Sequence, residues 1–76
     1  MEIDARGLEC PLPTERAVAE MRRARASHLD EEIVILTDDA VCADEIPHHA
    51  RALGCDAGSH RAGAGWKITL RARSRD

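Results

Sequence analysis

Cys10 lies in the stretch RGLECPLP, residues 6–13, directly before one proline and three residues before another. A thiol in this place has two readings. Free cysteine is among the most buried residue types and fills cores as a small hydrophobe. Just before a helix start, however, it meets unpaired backbone N–H groups and the positive end of the helix dipole. Both favour the thiolate, which is the nucleophile. Pro11 and Pro13 restrict the local backbone and present the sulfur at a fixed geometry. On this second reading Cys10 has a pKa below the free value of about 8.5 and below that of Cys55.

Two further thiols follow. Cys42 comes shortly after the acidic pair Asp38–Asp39, which reads most simply as a helix cap. Cys42 is then either an ordinary helix-start residue or a second, resolving thiol. Cys55 follows Gly54 and reads as structural or partly exposed. Cys42, His48, His49, Cys55 and His60 raise the question of a metal. Their spacing argues against one: there is no C-x₂-C or H-x₃-H pair, and adjacent histidines point in different directions on a helix. His48 and His49 read as a solvated face, and no metal or cofactor is expected. Arg16, Arg22, Arg23 and Arg25 form either a docking patch for an acidic partner or the solvated face of a helix.

These residues need elements to hold them. MEIDA alternates, with Ile3 and Ala5 on one face, and reads as a short strand. Pro11 or Pro13 can take the first helical position, where a missing N–H costs nothing. TERAVAEMRRARA is rich in helix formers and carries an apolar stripe of Ala17, Val18, Met21 and Ala24. SHLDEE ends that helix. EIVILT, residues 32–37, is a β-branched run suited to a central strand covered on at least part of both faces. After the cap at Asp38–Asp39, Ile46, Ala50 and Leu53 recur at helical spacing, and Gly54 is a natural stop. Pro47 is expected in a first turn or at a break. CDAGSHRA reads as a weak edge strand, residues 63–65 as a turn, and WKITLRAR as an alternating last strand.

The order is β-α-β-α-β-β. A strand-helix-strand unit prefers parallel strands and a right-handed crossover. The expected fold is an α/β two-layer sandwich, a mixed four-stranded sheet with two helices on one face. Both helix N-termini then share one end, which brings Cys10 and Cys42 together and sends Cys55 to the other. Helices packed side by side lie roughly 10 Å apart, too far for an unstrained bridge, which needs Cα atoms within about 7 Å.

The chain of 76 residues is expected to be one domain, residues 1–76, with 73–76 frayed. Its core is thin and aliphatic. Trp66 is the single aromatic residue beside Ile3, Leu8, Leu12, Val18, Met21, Leu29, the 33–36 run, Val41, Ile46, Leu53, Ile68 and Leu70. A net charge of −3 and the near-absence of aromatics disfavour direct nucleic-acid binding. No apolar run approaches a membrane span. Glu2 and Asp4 interrupt any leader-like stretch, and an odd number of cysteines suits a reducing compartment, so a cytoplasmic location is expected.

DARGLECPLP, lying between a first strand and a first helix, resembles the signature of the TusA/SirA-like sulfur-carrier family. The resemblance continues through TDDAVCADEIP and ALG to the final strand. The family often has proline where this chain has Val41, and Cys42 and Cys55 lie outside its motif. The resemblance implies a two-layer α/β sandwich and a cysteine, here Cys10, that carries sulfur as a persulfide. It implies supporting roles for Arg6, Gly7, Leu8, Pro11, Pro13, Asp38 and Asp39. The implied partners are a cysteine desulfurase or rhodanese-like donor and a downstream acceptor protein, met by a carrier that is monomeric when free and needs no cofactor. Such a domain acts as a relay or co-substrate more than as a free-standing sulfurtransferase. From another class comes a second reading, a redox or regulatory interaction module using Cys10 for partner binding or thiol sensing.

Overall fold

In the computed structural model, residues 1–26 and 31–72 are described. The elements are β1 (Glu2–Asp4), α1 (Leu12–Ala26), β2 (Glu31–Thr37), α2 (Ala40–Ala52), β3 (Cys55–Ala62) and β4 (Gly65–Ala72). They form a four-stranded sheet in the order β1-β2-β4-β3. β1 runs parallel to β2, and β4 is antiparallel to both β2 and β3. This is the expected mixed sheet. CDAGSHRA lies at its edge, and EIVILT is one of the two inner strands. The expectations for Leu29 and for residues 73–76 fall outside the described residues.

Strand alternation divides the sheet into two faces. Ile33, Ile35 and Thr37 are fully buried under the helices. Val34 and Leu36 point the other way and are half-buried, opposite Thr69 and Lys67 of β4. The helices contribute Ala17, Met21 and Ala24 from α1, and Ala43, Ile46 and Ala50 from α2. Small residues on the inward stripes let both helices lie close to the sheet, as a chain with so little apolar volume requires. At the β3–β4 end the Arg61 guanidinium stacks 4.7 Å from the centre of the Trp66 ring, a cation–π contact across a directly opposed pair.

Three local expectations need correction. Leu12, rather than Pro11 or Pro13, opens α1, with the two prolines on either side of it. Every N–H of a first helical turn lacks an intrahelical partner, so Pro13 fits the second position as well as the first. Pro47 lies inside α2, with no break. Pro47 is buried and shares a hollow with Ala43 and Trp66. That burial offsets the lost hydrogen bond to the carbonyl four residues back. Finally, Leu12 and Val41 are not core residues but are 49% and 58% exposed. They sit in the first turns of α1 and α2, on the sides away from the sheet.

Candidate functional site

Parallel pairing of β1 and β2 sends the chain into α1 and α2 at the same end of the sheet. Two acidic residues tie the two loops together there. Asp38 accepts the Gly7 N–H at 3.2 Å. Gly7 has φ +84°, the left-handed region that favours glycine. Asp39 caps α2: one oxygen accepts the N–H groups of Val41 at 2.9 Å and Cys42 at 3.1 Å. Its other oxygen accepts the Cys10 N–H at 3.4 Å. Asp39 itself is oriented by an N–H bond to the Thr37 hydroxyl at 3.1 Å. The N–H bond from Cys42, joined by those from Cys10 and Val41, lowers its pKa. The expected cap therefore also holds the backbone of the first loop.

Of the other residues expected to support Cys10, Leu8 is half-buried against the core, Pro13 is buried and Pro11 is exposed. The Cys10–Pro11 peptide bond is cis. Arg6 turns back to form a bidentate pair with Asp4, both contacts at 2.8 Å. This pair holds the exposed Asp4 carboxyl down at about 2. Arg6 is thus engaged by Asp4 at the end of β1.

The three thiols differ sharply in setting. Cys10 is half-buried, whereas Cys42 and Cys55 are buried, so among the three Cys10 has the access to surface. Its Sγ–H donates to Glu45 Oε1 at 3.2 Å. The Thr14 hydroxyl donates to Cys42 Sγ at 3.3 Å. The sulfurs of Cys10 and Cys42 and a Glu45 carboxylate oxygen all lie within 4.8 Å of one another. Cys55 is at the opposite end, beyond a helix of 13 residues that rises roughly 20 Å.

One expectation is met here and one overturned. Cys10 and Cys42 share one end of the sheet, their sulfurs within 4.8 Å of each other and unbonded. The Cys10 pKa, however, is not lowered. It is pushed up to about 12 by the hydrogen bond with Cys42, by desolvation, and by the hydrogen bond and charge of Glu45. A nearby thiol and an anion outweigh the helix dipole, which falls off within a turn. The Cys55 thiol is also raised, chiefly by burial, with partial relief from Arg25.

Glu45 and Thr14 escaped the sequence reading. A signal existed for Glu45: it is three residues after Cys42 and so shares its helix face. No local pattern links Thr14 to Cys42, which is 28 residues away. The histidines and Cys55 do not gather. His48 and His49 are exposed, and among the described residues Cys10, Cys42 and Glu45 are the single set of donors close enough to share an ion. They supply three atoms, one fewer than a closed zinc site takes. Their contacts are those of a thiol pair with a proton acceptor. The arginines also divide: Arg23 pairs with Glu20 at 2.7 Å, and Arg25 lies against Gly54 and Cys55. Beside Cys10 an open groove runs between the helices, lined by Pro11, Thr14, Val18, Arg22, Glu45 and His49.

Neutralising the carboxylate should release the thiol. In Glu45→Gln the anion that disfavours the Cys10 thiolate is gone, so its pKa should fall by about one unit or more. Alkylation of Cys10 followed against pH, resolved by peptide, should show the midpoint moving down and faster reaction at neutral pH. An unchanged midpoint would remove Glu45 from the causes.

The family model for sulfurtransferase TusA matches residues 1–72. The chain belongs to the TusA family. Members of that family act in sulfur transfer, working with sulfur donors and acceptors. A solved SirA-like protein from Desulfitobacterium hafniense shares 24% identity, with a TM-score of 0.76 over 95% of this chain and 96% of that one. At that identity the likeness shows the fold, and it is the same sandwich. Comparison with curated proteins returns no match. Among the described residues of this TusA-family chain, no helix is long and apolar enough to cross a membrane.

Proposed function

We propose that Cys10 carries sulfane sulfur as a persulfide between a donor and an acceptor protein. The observation behind this reading is that Cys10 is the one thiol of the three with access to the surface, and it holds a hydrogen bond to a carboxylate. In the loading step the Cys10 sulfur attacks the terminal sulfur of a donor persulfide. Its proton passes to Glu45, the donor cysteine leaves as thiolate, and the new Cys10 S–S bond replaces the donor's. In the unloading step an acceptor cysteine attacks the terminal sulfur in turn, and Cys10 recovers its proton from Glu45.

A donor of the cysteine desulfurase or rhodanese-like class and an acceptor with a reactive cysteine are the partners this chemistry needs. The exposed Leu12 and Val41, at the helix starts next to Cys10 and Cys42, offer apolar contact to either. The relay is placed in the cytoplasm, where free thiols persist, with the carrier monomeric between encounters. Incubation with a cysteine desulfurase and cysteine, followed by intact-mass analysis, is the test. One added sulfur atom that maps to the Cys10 peptide is expected. No adduct under conditions that load another carrier would sink the proposal and favour a thiol-sensing module instead.

A further inference from the structure

We propose that Cys42 is a resolving thiol: when no acceptor collects the cargo, it attacks the inner sulfur of the Cys10 persulfide, closing a Cys10–Cys42 disulfide and releasing hydrogen sulfide. This rests on the persulfide reading of Cys10.

The step is balanced without an external oxidant. The bond between Cys10 Sγ and the sulfane sulfur breaks, and a bond between the two Sγ atoms forms. The sulfane sulfur takes the electron pair and is reduced to sulfide, while the two cysteine sulfurs are oxidised to a disulfide. The Cys42 proton is accepted by Glu45 and passed to the departing hydrosulfide. A dithiol reductant then reopens the disulfide and restores both thiols.

Four observations support it. The two sulfurs already lie within 4.8 Å of each other. Cys42 is fully buried, so outside proteins cannot reach it, whereas the Cys10 sulfur can. The Thr14 hydroxyl donates to the Cys42 sulfur at 3.3 Å and so fixes where that sulfur sits. Glu45 is within reach of both sulfurs as the proton acceptor. The sulfurs must still close to about 2.05 Å. Cys10 belongs to the loop before α1, so the approach is a movement of that loop and of the two side chains.

The choice of inner over outer sulfur follows from position and from the leaving group. The inner sulfur is the Cys10 Sγ itself, which already lies within 4.8 Å of the Cys42 sulfur; attack on the outer sulfur would instead expel a cysteine thiolate, whose ordinary pKa is about 8.5. Attack on the inner sulfur expels hydrosulfide, a weaker base, and the less basic group leaves faster.

The experiment compares wild type with Cys42→Ala, both loaded by a cysteine desulfurase and cysteine, then desalted and held without acceptor. Intact mass and released sulfide are followed at several protein concentrations. Wild type should pass from one sulfur heavier to two hydrogens lighter than the reduced protein. It should release one sulfide per disulfide, at a rate independent of protein concentration. Because the wild-type step is intramolecular, the Cys42→Ala persulfide should last roughly tenfold longer or more. Equal lifetimes would overturn the inference while leaving the carrier reading intact. So would sulfur found on Cys42 without sulfide release. Should Cys42→Ala fail to fold, peptide mapping of wild type alone decides: a Cys10–Cys42 link formed with sulfide supports resolution, and any other link refutes it. Failure of both proteins to load would overturn the carrier reading, and this inference with it.

Discussion

Cys10→Ser is expected to abolish sulfur loading. A serine oxygen forms no persulfide, so any remaining adduct must sit on Cys42 or Cys55. Both are buried, and a donor persulfide is presented by a macromolecule that cannot enter the core. Cys55 is further removed by the length of α2. The substitution is close in volume at a half-buried position, and serine can donate to Glu45 as the thiol did, so the fold should survive. Intact-mass analysis of wild type and variant after exposure to the same desulfurase and cysteine makes the comparison. A full sulfur adduct on folded Cys10→Ser would show that the cargo resides elsewhere.

Ile35→Ala should cost about 2–5 kcal/mol of stability, the range for deleting a fully buried isoleucine side chain. Ile35 pairs with Ile3 of β1 on one side and Ile68 of β4 on the other. The three make a row of isoleucines across the sheet, all 4% exposed or less. Two of the three strands in that row bound the site: β1 leads into the Cys10 loop, and β2 leads to Asp38 and Asp39. Small domains keep only about 5–15 kcal/mol in total, so the loss is a large share and the site should loosen with it. Urea denaturation should show a lower midpoint at unchanged slope. Val34→Ala, on the half-covered opposite face, should cost clearly less. A cost under about 0.5 kcal/mol for Ile35→Ala, the range of a surface change, would mean the row is not the centre of the core.

The sulfur site depends on that core through backbone more than through side chains. The Asp39 cap ties the start of α2 to the Cys10 N–H, and the Asp38 carboxylate ties the Gly7 turn to the end of β2. With both loops held, the Cys10 sulfur is placed over the first turn of α2 in contact with Glu45. The proposed persulfide on Cys10 would need an accessible sulfur and a place for its proton; Cys10 is the half-buried thiol and Glu45 the carboxylate bonded to it.

Sequence by itself determined the order of elements, the cap at Asp39, the stop at Gly54, the weak edge strand and the membership that the RGLECPLP stretch announces. Each of these is written in neighbouring residues: alternation at period two, apolar stripes at period 3.6, a side chain that caps the N–H groups two and three residues ahead, a glycine free to take positive φ. Chain topology then followed, because a β-α-β crossover leaves few arrangements, and it placed Cys10 and Cys42 at one end with Cys55 at the other. Tertiary structure alone decided what the sulfur meets. Glu45 is 35 residues from Cys10, and Thr14 is 28 from Cys42. Their meeting depends on how α1 and α2 are rotated about their own axes and how far the loop reaches. The same packing reversed the expected acidity of Cys10. A helix dipole can be anticipated from a cap and a proline, but a thiol and a carboxylate beside the sulfur come from another helix. Contacts of a few ångströms set the sign of such a shift, and no spacing along one segment encodes them.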